Sequence, residues 1–370
     1  MESENKKNLL IFHPIIAPYR IDFFNHLSQY YNVKFCMFHR NMIDQKFDYD
    51  KISQLFEFTP TILDQFYKLP FFQIRKHIIS TIQKFNPDIV LVPECGYTSI
   101  IVLFYKVLSK KKYKIISMID DSYDMIINNN QFSKKHKWGE KILIPVFNNV
   151  ISVDPNVTAF FQKKYKKGLF FPIIQDEKRI KKLYEQALPI SQKYINQYNL
   201  NNKKVILFVG RLVDIKNVNF VINAFNKLAP QNTCFVIVGS GDAEKKLKIL
   251  TQNNPNIIFT GRLEGKLLYA WYNIAELFIL PSIQEPFGAV TNEALIGGCF
   301  SLISNKAGSS CLIKNGINGY TFNPYNEQEF IKLLYNSLKK VPLRTYPLTL
   351  RPSKELNIFA EQINILVNQI

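Results

Sequence analysis

The 370-residue chain is 47% hydrophobic and 21% charged, proportions that bury real cores and exclude wholesale disorder. At about 150 residues per domain the length suggests two domains, and 5 cysteines with no Cys-x-x-Cys pair argue against a zinc ribbon or a disulfide-stapled secreted fold. Lys and Arg (47) outnumber Asp and Glu (29), a net charge of +18, and residues 106–182 alone carry 17 basic against 7 acidic groups.

In chain order, Met1–Asn8 is charged and the apolar run after it is short, so no secretory leader is expected and a reducing cytoplasm is the default compartment. Leu9–Phe12, Val33–Phe38, Ile89–Val92, Ile115–Ile119 and Val150–Val153 read as buried strands. Between them, Ile21–Tyr31, Ile74–Phe85, Thr98–Leu108 and Val157–Lys166 have helical spacing. The longest apolar stretch, Ile89–Leu108, contains Pro93, Glu94 and Gly96, which argues against a membrane-spanning helix. Gln175–Leu200 is charged and helical, without a strand. The rhythm then repeats: Val205–Val209, Cys234–Val238, Ile257–Thr260, Leu277–Leu280 and Ser301–Ser304 are strand-length runs, and Val218, Val221, Phe225 and Leu228 share a helical face. After Pro324 the pattern is helical to Lys340 and is then broken by Pro342, Pro347 and Pro352. Ser353–Ile370 reads as a last amphipathic helix capped by Ser353, with Leu356, Phe359, Ile363 and Val367 on one side. Continuous apolar strands separated by helices predict parallel sheets covered on both faces. The fold class is therefore α/β with two Rossmann-like domains, divided as residues 1–185 and 186–345 with a final helix in 346–370.

A lysine-rich surface such as that of 106–182 attracts phosphate in nucleic acid, anionic lipid or a nucleotide, and equally serves as a solvated face. Nucleic acid is the least favoured partner, because no zinc finger, RNP-type strand or arginine-rich arm is present.

In open parallel sheets ligands bind beyond the carboxyl ends of the strands. After Val205–Val209 comes Gly210-Arg211-Leu212-Val213-Asp214-Ile215-Lys216-Asn217, which sets a guanidinium and an ammonium near the start of the next helix, where free N–H groups already favour an anion. The next strand ends in Gly239-Ser240-Gly241-Asp242, small enough for close backbone approach. After Leu277–Leu280 comes Pro281-Ser282-Ile283-Gln284-Glu285-Pro286-Phe287-Gly288-Ala289-Val290-Thr291-Asn292-Glu293-Ala294. Its two acids, one in the loop and one in the helix, suit paired sugar hydroxyls. No His/Asp cluster suited to a metal is evident.

Gly210-Arg211-Leu212 with Lys216, Gly239-Ser240-Gly241, Gly261, Pro281-Ser282, Glu285-x7-Glu293 and Gly316-x-Asn318-Gly319 resemble, in order and spacing, the family 4 glycosyltransferases over roughly Val205–Pro324. The resemblance implies a GT-B fold, with two Rossmann-like domains facing a cleft and a C-terminal helix crossing back to the first. It implies retaining, metal-independent transfer of a hexosyl type from a UDP- or GDP-linked sugar, with no cofactor. By the same resemblance Arg211 and Lys216 hold the donor diphosphate, Glu285 faces the donor sugar, and these three are the catalytic candidates. Gly210, Gly239, Phe287, Gly288 and Val290 complete the donor site, Arg262 meets the base, and Glu293 accepts from the ribose hydroxyls.

This chain departs from the family pattern in its first half. The early glycine-rich loop is replaced by His13-Pro14-Ile15-Ile16-Ala17-Pro18-Tyr19-Arg20, a usual His-Asp pair by Asp120-Asp121, and an acid after Gly308 by Cys311. His13, Arg20, Glu94 and Asp121 follow predicted strands and are the acceptor-side candidates, with Tyr19, Tyr97 and Tyr123 as stacking surfaces; Arg20 is also placed to pair with Asp22 or Asp50. The implied acceptor is lipid-linked or a glycan, in bacterial surface-polysaccharide synthesis, with the lysine-rich stretch on the inner face of the cytoplasmic membrane. A non-catalytic nucleotide-sugar-binding scaffold and a GT-B epimerase are the alternatives.

Overall fold

The computed structural model describes residues 6–40, 49–69, 72–127, 134–251 and 253–370; the side chains of Lys134 and Lys135 lie outside the described residues. The chain forms two units: one runs up to Asp120 and takes in Ile126–Pro172 and Ala360–Ile370, the other takes in Asp121–Met125 and Ile173–Phe359. The elements up to Pro172 are β1 (Asn8–His13), α1 (Ile21–Tyr30), β2 (Asn32–Met37), α2 (Tyr49–Ser53), β3 (Thr61–Ile62), β4 (Phe66–Leu69), β5 (Phe72–Arg75), α3 (Ile78–Phe85), β6 (Ile89–Pro93), α4 (Tyr97–Ser109), β7 (Lys114–Ile119), α5 (Tyr123–Ile127), α6 (Lys134–Val146), β8 (Asn149–Ser152), α7 (Pro155–Tyr165) and β9 (Leu169–Phe170). Then follow α8 (Glu177–Gln197), β10 (Lys204–Val209), α9 (Val218–Leu228), β11 (Thr233–Val238), α10 (Glu244–Leu250), β12 (Ile257–Gly261), α11 (Gly265–Ile274), β13 (Leu277–Leu280), α12 (Val290–Ile296), β14 (Phe300–Ser304), β15 (Gly319–Phe322), α13 (Glu327–Lys340) and α14 (Phe359–Gln369), the last almost wholly in the first unit.

In the first unit the strands pair in the order β3-β2-β1-β6-β7-β8-β9, all parallel, with β4 and β5 forming a separate antiparallel hairpin. The second unit has the parallel order β12-β11-β10-β13-β14-β15. Strands buried on both faces cannot alternate apolar and polar residues, which is why Leu9–Phe12 and Val205–Phe208 are unbroken apolar runs and are almost fully excluded from water. Each sheet therefore has an apolar layer on either side; in the second unit Phe208, Phe225 and Phe235 fill one and Trp271, Tyr272 and Phe278 the other.

Two predicted helices are corrected. Ile74–Phe85 begins only at Ile78, because Phe72–Arg75 pairs with β4 and His77 turns the chain at φ 70°. The last helix begins at Phe359 rather than Ser353, and its buried face is Phe359, Ile363 and Leu366, with Leu356 half exposed. Residues ahead of it are held by hydrogen bonds that compete with a helix. Lys354 N donates to Leu295 O (2.8 Å), and the Glu355 carboxylate accepts from the Leu356 and Asn357 N–H groups and from Asn292. The Arg351 guanidinium donates to the Ala275, Tyr272 and Gly297 carbonyls at 2.6–2.7 Å.

The segment after α13 is pinned by a buried ion pair. Arg344 Nη1 lies 2.6 Å from Glu276 Oε1, their side chains 2% and 3% exposed. The guanidinium also donates to the Leu200 and Lys203 carbonyls, while Glu276 accepts from the Val205 N–H at the head of β10. Removing one member of such a pair leaves an uncompensated charge out of water. Arg344→Ala is expected to lower the stability of the second unit by about 3–5 kcal/mol. Urea unfolding followed through the buried Trp271, in a Trp138→Phe background, measures it; a loss under about 1 kcal/mol contradicts this role.

Candidate functional site

In the second sheet β10 lies between β11 and β13. The chain builds outward from β10 to β12 on one side, then restarts at β13 on the other. Such a reversal is where open parallel sheets place a ligand crevice, between the loops leaving the carboxyl ends of the two strands, here β10 and β13. Those loops are residues 210–217 and 281–289, which fall in two of the three segments singled out from sequence. The β11 exit stacks beside them: Gly210 N donates to Val238 O (3.0 Å) and Gly239 N to Gly261 O (2.9 Å). Gly239 has φ 149°, and a Cβ there would lie 1.9 Å from the Gly210 carbonyl oxygen, so only glycine lets the strand exits stack this closely.

The two crevice loops are joined by an ion pair. Asp214–Lys216 forms a single 3-10 turn, and the Lys216 ammonium meets the Glu285 carboxylate, with side chains only 14% and 10% exposed. Backbone bonds fix the carboxylate's loop on both sides: Ile283 N donates to Ile215 O (2.9 Å), Gly308 N to Glu285 O (3.3 Å) and Ser309 N to Phe287 O (2.8 Å). The Ser282 hydroxyl donates to Glu285 at 3.3 Å, and Phe287 is buried. Gly288, at φ 94°, turns the chain into α12 where a Cβ would meet the Leu280 side chain at 2.6 Å; Val290 opens that helix. Arg211 is exposed and forms no hydrogen bond or ion pair among the described residues, so its five N–H donors face solvent.

Glu293 is held differently. Its carboxylate accepts from the Tyr272 hydroxyl (3.0 Å) and the Gln175 amide (3.4 Å), and Tyr184 donates to its backbone carbonyl (2.6 Å). Burial raises its pKa, against the opposing pull of those bonds and of Arg179, and Glu293 in turn helps push the two buried tyrosines well above their usual range. Gln175 is itself fixed, its N–H bonded to Asn292 Oδ1 (3.0 Å) and its amide oxygen accepting from Arg179 (3.2 Å). Tyr272, Tyr184, Gln175 and Asn292 were not among the candidate site residues read from sequence. Arg262 follows β12 on the same sheet edge and pairs with Glu264, both half exposed.

The first sheet has its own reversal, between β1 and β6. His13 ends β1 with its Nδ1 against Ile15 O, edge-on to Phe24 at 5.3 Å. Burial, with Arg20 adding and Asp120 opposing, lowers its pKa from 6.5 to about 4. Arg20 is 2% exposed and pairs with Asp120 at 2.5 Å. Glu94 follows β6 at φ 45°, an uncommon conformation for a side-chain-bearing residue, and its carbonyl accepts from Ser99 (2.8 Å) and Ser117 (3.0 Å). Asp121 is buried and groups with the second unit. Tyr97 and Tyr123 are exposed. Among the described residues no group of three or more His, Cys, Asp or Glu side chains is placed to hold a metal ion.

Residues 190–346 match the family model Glycosyl transferases group 1. Over 130 residues the chain is 35% identical to an uncharacterized glycosyltransferase of Methanocaldococcus jannaschii, covering 34% of this chain and 33% of that protein. Over 145 residues it is 32% identical to the UDP-Gal:alpha-D-GlcNAc-diphosphoundecaprenol alpha-1,3-galactosyltransferase of Escherichia coli, covering 36% of each. The chain thus spans about a third of the length of either curated relative. Among solved structures, Anabaena HepE in complex with UDP-glucose superposes with a TM-score of 0.72 at 16% identity, covering 98% of this chain and 100% of that one. The fold is GT-B, two Rossmann-like α/β units with parallel sheets.

His13 gives a pH test of the first-unit site. Because its folded pKa lies below the unfolded 6.5, the unfolded chain binds more protons between the two values. Stability present above pH 6.5 is therefore lost as the pH falls toward about 4. The expected loss is about 3 kcal/mol for this group. Urea midpoints at several pH values should fall less steeply in His13→Gln than in the natural chain; parallel slopes contradict the assignment.

Proposed function

We propose that the chain is a glycosyltransferase that moves a sugar from a UDP- or GDP-linked donor to a lipid-linked or glycan acceptor, with retention, in the synthesis of a bacterial surface polysaccharide. The observation that carries this reading is the Lys216–Glu285 pair at the β10/β13 reversal, with Arg211 open to solvent on the same loop. The relatives named above support the donor class: one is named for a UDP-sugar and a diphosphoundecaprenol acceptor, and HepE was crystallised with UDP-glucose.

Cleaving the anomeric bond sends negative charge onto the diphosphate and leaves positive character on the sugar. Arg211 and Lys216 stabilise the first where it develops, without a metal. Lys216 has three donors, so one remains on Glu285 while others reach phosphate oxygens. Glu285, fixed by Lys216 and Ser282, faces the sugar, and the backbone at Phe287 and Gly288 supplies short-range polar contacts. Glu293 accepts from the ribose hydroxyls, a role suited to a carboxylate already oriented by Tyr272 and Gln175. Arg262 lies on the base side, and Val290 lines the turn between the two acids. On the acceptor side His13, neutral at pH 7, Arg20, Glu94 and Asp121 are the candidates.

No helix among the described residues is long and apolar enough to cross a membrane. We place the working enzyme on the inner face of the cytoplasmic membrane, drawn there by the lysine excess of residues 106–182.

A thermal-shift screen of UDP- and GDP-sugars is expected to find one donor that raises the melting temperature. With that donor, Lys216→Ala should cut transfer about 10²- to 10³-fold. Glu293→Gln should instead weaken nucleotide binding about tenfold with little change in kcat. Transfer by Lys216→Ala at the natural rate overturns the assignment, and donor binding with no turnover on any acceptor turns the reading to a scaffold.

A further inference from the structure

Two neighbouring helices of the first unit turn apolar side chains toward water. In α4 the inner side is Thr98, Ser99 and Val102, all buried, while Ile100, Phe104, Val107 and Leu108 are 46%, 62%, 68% and 66% exposed. Their spacing of three to four residues places them in one stripe. In α6, Trp138 and Ile142 are 69% and 44% exposed and stand one turn apart, over a buried Leu143 and Ile144.

The two stripes are adjacent. The strands β6, β7 and β8 step in one direction, so right-handed crossovers put α4 and α6 on the same face of the sheet. Val102 of α4 and Leu143, Ile144 and Phe147 around α6 share one core cluster. The middle of α6 passes close to the head of α4, since a Cβ on Gly139 would lie 3.1 Å from the Cys95 carbonyl just before α4.

The surroundings are basic. Tyr97–Lys114 holds five lysines and no acid, and Lys110, Lys111 and Lys112 close the helix as exposed residues; α6 adds an exposed Lys141 beside one half-buried acid, Glu140. Bulky apolar stripes are rarely left to water, and an apolar face rimmed by lysines has the composition of a helix lying in a membrane interface. A second copy of the chain fits less well, because α4 and its loop offer it no acid to pair with those lysines.

We propose that the outer faces of α4 and α6 dock on an anionic bilayer, their apolar stripes entering the interfacial layer and Lys110–Lys112 meeting headgroup phosphates. The inference deepens the membrane-surface part of the proposed function and is independent of its donor chemistry. Trp138 is a built-in reporter, since the other tryptophan, Trp271, is fully buried.

The full chain is mixed with vesicles of phosphatidylglycerol and phosphatidylcholine in equal parts, and with phosphatidylcholine alone. Trp138 emission should shift to the blue and be quenched by brominated acyl chains only on the anionic vesicles. Flotation should show a loss of vesicle binding of at least about tenfold in Phe104→Asp/Leu108→Asp. A comparable, salt-sensitive loss is expected in Lys110→Glu/Lys111→Glu/Lys112→Glu. Donor thermal shifts of both variants should match the natural chain, which separates a failed surface from a failed donor site. An unshifted Trp138, unchanged flotation of the Asp variant, or a dimer that this variant dissolves and vesicles do not displace overturns the proposal. Should the variants fail to fold, quenching of Trp138 in the natural chain decides alone.

Discussion

The second unit is organised by one electrostatic constraint: Lys216 and Glu285 are both largely withdrawn from water, and neither charge is tolerable there without the other. Reversal of the strand order at β10 drives the two loops apart, and the ion pair ties them back together across the crevice. The pair has little freedom to shift, because the backbone around Glu285 is bonded to Ile215 on one side and to Gly308 and Ser309 on the other. On the proposed function, a donor bound here would meet a cation and an acid already desolvated and held in place, so little reorganisation would be needed when charge develops.

The second acid follows the opposite strategy. Among the described residues Glu293 carries no direct ion pair; it is stabilised by a phenol and an amide, with burial holding its pKa up. The two carboxylates of one short segment therefore differ in character: one balances a lysine, the other is a bare acceptor held in place by neutral donors. That division suits a ligand with a strongly charged centre and a hydroxylated flank.

Much of the fold was legible because doubly covered parallel strands must be continuous apolar runs, and Leu9–Phe12, Ile89–Val92 and Val205–Val209 are such runs. The loops bearing Arg211, Lys216 and Glu285 were legible for the same reason, since strand ends locate them. What escaped notice lacked a local signal. β3, β9 and β15 are two to four residues long, too short to show a period. The donors to Glu293 come from Tyr272 and Gln175, 21 and 118 residues away in sequence, and nothing near them marks the partnership. Ser353–Phe359 kept an apolar spacing that reads as helix, yet Glu355, Lys354 and Arg351 bond to the second unit and override it. In α4 the hydrophobicity was visible, but which half of it would be buried was not.

The most direct test is a crystal structure of the chain soaked with the nucleoside diphosphate that the donor screen selects. The diphosphate should lie within about 3 Å of the Arg211 guanidinium and the Lys216 ammonium, with the ribose hydroxyls on Glu293. A nucleotide bound elsewhere, with the Lys216–Glu285 crevice empty, would contradict the assignment.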